Sequence, residues 1–451
     1  MRLRRNLGAL LVRPRRRSIG LFAALSVRNF RLYFTGQAVS LVGTWMQSVA
    51  LVWLVLEITG SGTLLGLVVA TQFLPVLLLG AYSGLVVDRL DKRRLLLITQ
   101  TSLALLALLL GTLTITHAVR LWMVFVFAAL FGCVTSLDNP ARQSFVMEMV
   151  GGHRVQNAVS LNSVMVSASR TVGPALAGGL IATVGIGICF LLNAASFGAV
   201  LIALSLMRVA ELRRSKPVPR RGGQLREGLR YVRRNIGLLV PLLMMALVGT
   251  LAYEFQVALP VFARVSLHGG AEVYGLMTAA MGLGAVAGGL YVATRESTGL
   301  LPLTAAAAGF GAAIGAAALA PSLAVELVVL PVVGFASTSF LATGNSTLQL
   351  SSDPHYRGRV MALWSVTFLG STPIGGPIVG AVAEYVGPRF GLALGGVACL
   401  AAAAIGAVAL RRVPAEEHYA PRSGQDLPPQ GPQADGAEEP ATLGSTPSSE
   451  L

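Results

Sequence analysis

Long stretches without a charged residue follow one another along this chain. They run Leu32–Leu56, Ile58–Val87, Leu95–Val119, Leu121–Leu137, Val155–Ser169, Thr171–Met207, Asn235–Tyr253, Val273–Thr294, Ser297–Val325, Leu327–Ser352, Val360–Ala383 and Phe390–Leu410. A helix crossing a hydrocarbon layer of about 30 Å needs roughly 20 apolar residues. The run from Thr171 is divided by Val184-Gly185-Ile186-Gly187, a turn signal. The run Val155–Ser169 continues through Arg170 into it, giving one span with a charge inside. The pattern predicts an all-α integral membrane protein of twelve transmembrane helices, each roughly 20 to 28 residues long.

Composition supports the same class. Of 451 residues, 54% are hydrophobic and 12% charged, with a mean hydropathy of +0.69. Soluble domains carry about 25% charged residues, so a soluble enzyme, a disordered chain and a disulfide scaffold are excluded. The net charge of +15 would suggest nucleic acid in a soluble protein, but its placement points to a membrane. Met1–Arg31 holds nine Lys/Arg, the loop Asp88–Arg94 four and the connection Arg208–Arg234 ten, whereas the loops of the other face contain only Arg120 and Arg389. The positive-inside rule then places both termini in the cytoplasm of a multi-pass inner-membrane protein. The apolar stretch Leu7–Val12 is too short for a signal peptide and ends in Arg13-Pro14-Arg15-Arg16-Arg17. Residues 1–30 read as a basic segment with an amphipathic lead-in (Ile19–Phe30) resting on anionic headgroups. Residues 413–451, rich in Pro, Gly, Ser and Glu, read as a disordered tail.

The basic stretch at 208–236 reads as a connecting loop between two six-helix halves, 31–207 and 237–412. Residues recur between them in order. Leu41-Val42-Gly43-Thr44 returns as Leu247-Val248-Gly249-Thr250, Gly66 and Gly80 as Gly275 and Gly289, Asn139 and Gln143 as Asn345 and Gln349, and Gly173-Pro174 as Gly376-Pro377. The offset stays between 203 (173 to 376) and 209 (66 to 275). Two pseudo-symmetric halves with a site between them is an architecture of secondary transporters.

The segment Gly84-Leu-Val-Val-Asp88-Arg89-Leu90-Asp91-Lys92-Arg93-Arg94 resembles the signature Gly-x-x-x-Asp-Arg-x-Gly-Arg-Arg/Lys of the major facilitator superfamily, with Asp91 in place of the second glycine. The resemblance covers nearly all of residues 26–412. Its counterpart Gly289–Arg295 lacks the acid. Arg28-Asn29-Phe30-Arg31 with Gly36-Gln37, then Asn139-Pro140-Ala141-Arg142-Gln143, then Arg357-Gly358-Arg359-Val360-Met361 resemble the branch holding enterobactin and macrolide exporters. Gly173-Pro174-Ala-Leu-Ala177-Gly178 is similar to the antiporter motif of exporters. The resemblance implies gating by Gly84, Asp88, Arg89, Arg93, Arg142 and Arg357. Asp88 would lock the halves on the cytoplasmic side, against a helix start that Asp353-Pro354 predicts as an N-cap followed by Pro at the first helical position.

Candidate chemistry follows from costly residues. Glu254 is the only acid predicted near the middle of a span, since Glu57, Glu272, Glu326 and Glu384 fall at outer ends and Asp138 at an inner one. A lone carboxylate in hydrocarbon must be protonated, paired or facing water, which makes Glu254 the candidate proton carrier. Arg170 is either its counter-ion or an anchor for anionic cargo. Gly173, Pro174, Gly376 and Pro377 mark close packing and a kink repeated in both halves. Gln37, Trp45, Gln47, Gln72, Tyr253 and Gln256 are candidate cavity residues, a polar and aromatic minority in aliphatic spans. No nucleotide loop or metal spacing is found, so neither cofactor nor metal is expected. Cys133, Cys189 and Cys399 lie in apolar runs and read as small buried residues. The expected function is a monomeric, proton-coupled exporter of a small hydrophobic or amphipathic compound (a drug, an antibiotic or a siderophore-like molecule) that acts without nucleic acid. A metabolite importer and a non-transporting receptor or assembly protein are the alternatives.

Overall fold

The computed structural model describes residues 22–151, 154–213, 224–295, 297–412 and 420–421. Twelve of its helical stretches are long and apolar enough to cross a membrane. The first half comprises α1 (Arg28–Thr59), α2 (Gly62–Arg89), α3 (Lys92–Ile115), α4 (Leu121–Val150), α5 (Val155–Val184) and α6 (Ile186–Ser205). A short helix, α7 (Gln224–Arg233), leads into the second half. There the seventh span is α8 (Ile236–Leu251) with α9 (Phe255–Val265), followed by α10 (Ala271–Thr294), α11 (Leu300–Leu319) and α12 (Leu323–Ser351). The eleventh span is α13 (Arg357–Leu369) with α14 (Thr372–Tyr385), and α15 (Pro388–Leu410) closes the bundle.

Two predicted continuous helices are therefore interrupted. The seventh breaks at Glu254, whose φ of −82° and ψ of 36° leave the helical region while its carbonyl accepts the amides of Val257 and Ala258 at 2.9 and 3.0 Å, starting α9. The eleventh breaks at Gly370-Ser371, just before Pro373. Pro373 has no N–H to offer the preceding turn and is suited to the first turn of a new helix. The expected kink sites Pro174 and Pro377 instead lie inside uninterrupted helices.

Sequence chemistry explains other ends. Asp91, the departure from the signature glycine, caps α3 by accepting the Arg94 amide at 3.0 Å. Asp353 does not cap a helix as expected. It accepts the His355 amide at 2.8 Å within a turn, and α13 starts at Arg357. The basic connection is not all loop either. Leu229, Tyr231 and Val232 give α7 an apolar side that rests on α8 and α13, with Tyr231 stacked on Tyr356 at 4.3 Å and Glu227 paired with Arg359 at 2.9 Å. In the lead-in, the Ala24 amide donates to Asn157 Oδ1 of α5 at 2.8 Å and Ala24 is buried, so this part is packed against the protein, while Phe22 stays exposed. Within the tail, β2 (Ala420–Pro421) pairs antiparallel with β1 (Ser297–Thr298), against the expectation of disorder there. The rest of residues 1–21 and 413–451 lies outside the described residues.

The halves meet through α2 with α14 and α5 with α10. Each meeting is backbone on backbone. A Cβ at Gly66 would strike the Gly376 carbonyl, and one at Gly62 would lie 2.9 Å from the Gly380 carbonyl oxygen. On the other side a Cβ at Gly275 would lie 2.5 Å from the Pro174 carbonyl oxygen, and one at Gly178 would lie 2.9 Å from Glu272 Cα. These contacts sit toward the ends bearing the α1–α2 loop. Toward the basic ends, the same stripes separate. A side chain at Gly80 would meet nothing within 4 Å, and Val164 and Val366 are 67% and 49% exposed. The bundle is closed on the face opposite the basic loops and open on the basic face.

Candidate functional site

Both helix breaks converge on the centre of the bundle. The start of α14 carries no side chain at Gly375 or Gly376, where the Thr250 and Gly66 carbonyls pack closely and the Glu254 carboxyl lies alongside: a Cβ at Gly375 would lie 3.1 Å from its Oε1 and one at Gly376 3.6 Å from its Oε2. Glu254 is 3% exposed, and Oε1 has no hydrogen-bond partner. A carboxyl is thus held where apolar helix backbone meets a cavity, with Thr372 of α14 as a neighbouring polar wall residue.

That cavity, about 150 Å³, lies between the halves. Trp45, Phe73 and Arg170 come from the first half, and Tyr253, Glu254, Gln256, Tyr274 and Phe368 from the second. The Arg170 guanidinium lies over the Trp45 ring, 5.4 Å from its centroid. The Tyr253 hydroxyl donates to the Ser337 carbonyl at 2.7 Å, and its ring packs edge-on to Phe368. Glu254 and Arg170 share this cavity without forming an ion pair, so the expected counter-ion pairing is not present.

Of the six expected cavity residues, Trp45, Tyr253 and Gln256 line it. Gln37 and Gln47 are 1% and 3% exposed inside the first half, where Asn193 Nδ2 donates to Gln47 Oε1 at 2.7 Å. Gln72 is not among the walls; its carbonyl abuts Gly132 of α4. Polarity inside an apolar span here mostly serves packing between helices. Gly173 packs on Trp45 and Gly376 on Gly66, which places both expected packing motifs at helix contacts.

The expected gating residues divide. Asp88 shares a helix stripe with Gly66 and Gly84, faces the gap, and pairs with nothing among the described residues. Arg89 and Arg357 are exposed, and Asp88 is not joined to the start of α13. The open basic face accounts for this, because the partners stand on separated halves. Arg93 and Arg142 have structural partners instead. Arg93 Nε donates to the Leu204 carbonyl at 2.8 Å, at the end of α6. Arg142 pairs with the fully buried Asp138 at 2.6 Å, which also accepts from Thr99 Oγ1 at 2.6 Å and Gln100 Nε2 at 2.9 Å.

Three charged residues with clear positions escaped the sequence reading. Glu384, at the end of α14, accepts from Ser61 Oγ at 2.6 Å and the Thr63 amide at 2.8 Å, so it closes the N-terminus of α2 across the halves. Arg264, at the end of α9, donates to the Leu56 carbonyl in the last turn of α1. Opposite charges thus meet opposite helix ends. Glu326 is fully buried in the first turn of α12 with both oxygens unbonded. Arg389 faces it but donates to the Ala318 and Ala320 carbonyls at 2.9 and 2.8 Å. Glu254 is therefore not the only acid buried within a span.

Residues 19–434 match the family described as transmembrane secretion effector. The chain belongs to this family of major facilitator transporters. It is 31% identical over 178 residues to a staphyloferrin A transporter of Staphylococcus aureus, covering 39% of this chain and 45% of that protein. The chain thus spans about half the length of that relative. It is 22% identical over 383 residues to macrolide efflux protein A of Streptococcus pyogenes, covering 83% of this chain and 94% of that one. The fold matches the crystal structure of a bacterial homologue of the human lysosomal transporter Spinster in its inward-facing, occupied conformation. The TM-score is 0.68 at 15% identity, over 85% of this chain and 96% of that one. This family and these relatives are transporters rather than enzymes. The chain is a multi-pass membrane protein of this transporter family.

Proposed function

We propose that this transporter exports a small amphipathic molecule from the cytoplasm in exchange for protons, with Glu254 as the proton carrier. The observation that carries the reading is the Glu254 carboxyl. It is buried, it has an unbonded oxygen, and it sits at the junction of two broken helices on the wall between the halves. Rocking of the halves changes what surrounds such a group, and a group whose surroundings change can bind a proton in one state and release it in the other. By the positive-inside rule the basic loops support a cytoplasmic open face, so cargo would enter from that side, and the relatives named for efflux fit this direction. The protein acts as a monomer with both termini inside, since each chain holds both halves of the site.

Glu254→Gln mimics the protonated form permanently. In proteoliposomes it should still exchange cargo across the membrane yet fail to accumulate it when a pH difference is applied. A monodisperse Gln variant that still concentrates cargo in response to pH overturns the assignment and directs attention to Glu326, a buried acid with both oxygens unbonded.

A further inference from the structure

Arg170 carries a permanent charge in the middle of the bundle, and the structure leaves it unused. Among the described residues no carboxylate or carbonyl pairs with it; its electrostatic neighbours are the Trp45 ring, 5.4 Å from its centroid, and the phenol of Tyr253. A cation over an aromatic face gains about 0.5–2 kcal/mol, whereas removing a charge from water costs several. Structural pairing would have been the economical use of the residue, and Glu254, the acid in the same cavity, does not supply it. A guanidinium offers five N–H donors in a planar fork that matches a carboxylate or phosphate. Around it, Trp45, Phe73, Tyr253, Tyr274 and Phe368 present ring faces and edges. The cavity, at about 150 Å³, takes one end of a cargo, and the rest would extend toward the open face.

We infer that Arg170 is the anchor for an oxyanion, so the cargo is an aromatic or apolar body carrying a carboxylate or phosphate. This rests on reading the central cavity as the transport site and adds the class of molecule it selects. Trp45 lies against the guanidinium, and no acceptor among the described residues takes up its N–H groups.

The test uses the full-length protein in phosphatidylcholine nanodiscs, with binding followed by calorimetry. The probes are 2-naphthylacetate and its neutral amide, 2-naphthylacetamide. The acid should bind about tenfold or more tightly than the amide, the scale of a hydrogen bond to a charged group. Arg170→Gln should abolish that ratio, because the acid loses more affinity than the amide, and Arg170→Lys should keep part of it. 2-Naphthyl phosphate shows which oxyanion is preferred, and nanodiscs containing phosphatidylglycerol show by competition whether a lipid phosphate occupies the same anchor. Equal affinity of acid and amide for the wild type overturns the proposal without any variant. So does a Gln variant that retains the preference. No pH gradient enters this measurement, so a failed anion preference leaves the proton-carrier reading standing. Lost coupling in the Glu254 variant, in turn, is read from accumulation under a pH difference and says nothing of the wild-type acid-to-amide ratio.

Discussion

Neutralising Glu384 should open the face that is closed in this structure. Its carboxylate bridges the halves by accepting from Ser61 Oγ at 2.6 Å and the Thr63 amide at 2.8 Å, at the first turn of α2. Hydrogen bonds to a charged acceptor contribute about 1.5–3 kcal/mol when buried. Glu384 is exposed, and exposed ion pairs fall to about 1 kcal/mol or less. Gln keeps an acceptor oxygen and loses the charge, including its attraction to the helix N-terminus of about 0.3–1 kcal/mol. A net weakening of about 0.5–1 kcal/mol shifts the ratio of closed to open roughly two- to fivefold. Labels at Ala118→Cys and Ser322→Cys, both exposed on that face, in a background lacking Cys133, Cys189 and Cys399, report the separation by pulsed electron resonance. Glu384→Gln should move population to the longer distance, and Glu384→Lys should move more, because a cation at a helix N-terminus is repelled. An unchanged distance distribution in both variants refutes the latch.

Gly66→Ala should have a larger effect of the same sign. Its Cβ would strike the Gly376 carbonyl and lie 2.9 Å from Pro377 N, backbone atoms that cannot swing aside, so the same labels should report a poorly closed face and cargo transport should fall. Asp138→Asn leaves Arg142 without its carboxylate beside Thr99 and Gln100. A loss of about 3 kcal/mol is expected, at the low end for a broken buried pair because Arg142 reaches water, and a melting curve in detergent measures it. Asp88→Asn should melt like the wild type, since Asp88 has no partner in this state, yet transport more slowly if the charge closes the basic face in the other; wild-type rates would remove Asp88 from gating.

The spans were legible because hydrocarbon imposes a length and an absence of charge that any helix must obey. Glu254 was legible for the same reason, as an expensive residue in a cheap background. What the sequence concealed depends on chain neighbours distant in number. Ser61 and Glu384 are 323 residues apart, and nothing local marks either as more than a loop-end polar residue. Gln47 shows the converse: a glutamine in an apolar span looks like a ligand contact, but Asn193 across the half takes up its oxygen. Glu326 was misplaced because its position near a span end suggested water, whereas α11, α12 and α15 fold around it. The break at Glu254 has no composition signal, for it depends on α14 presenting two glycines to the carboxyl.

The repeat carries a further consequence for how the halves move. Gly66 and Gly275 are counterparts in the two halves, as are the Gly-Pro pairs at 173 and 376. The structure joins them crosswise: Gly275 receives the carbonyl of Pro174, and Gly66 receives the carbonyl of Gly376. The closed face is therefore held at two similar points, the carbonyl coming from the proline in one and from the glycine before it in the other. Two equivalent bearings allow the halves to rock as rigid bodies, since neither side must yield before the other. The charges break that symmetry. Glu254 lies in the second half, where the offset of 206 between Leu41–Thr44 and Leu247–Thr250 puts Ser48 at its first-half counterpart, and Arg170 lies only in the first. The groups proposed for a proton and an anion are thus divided, one from each half, on the wall of the same cavity.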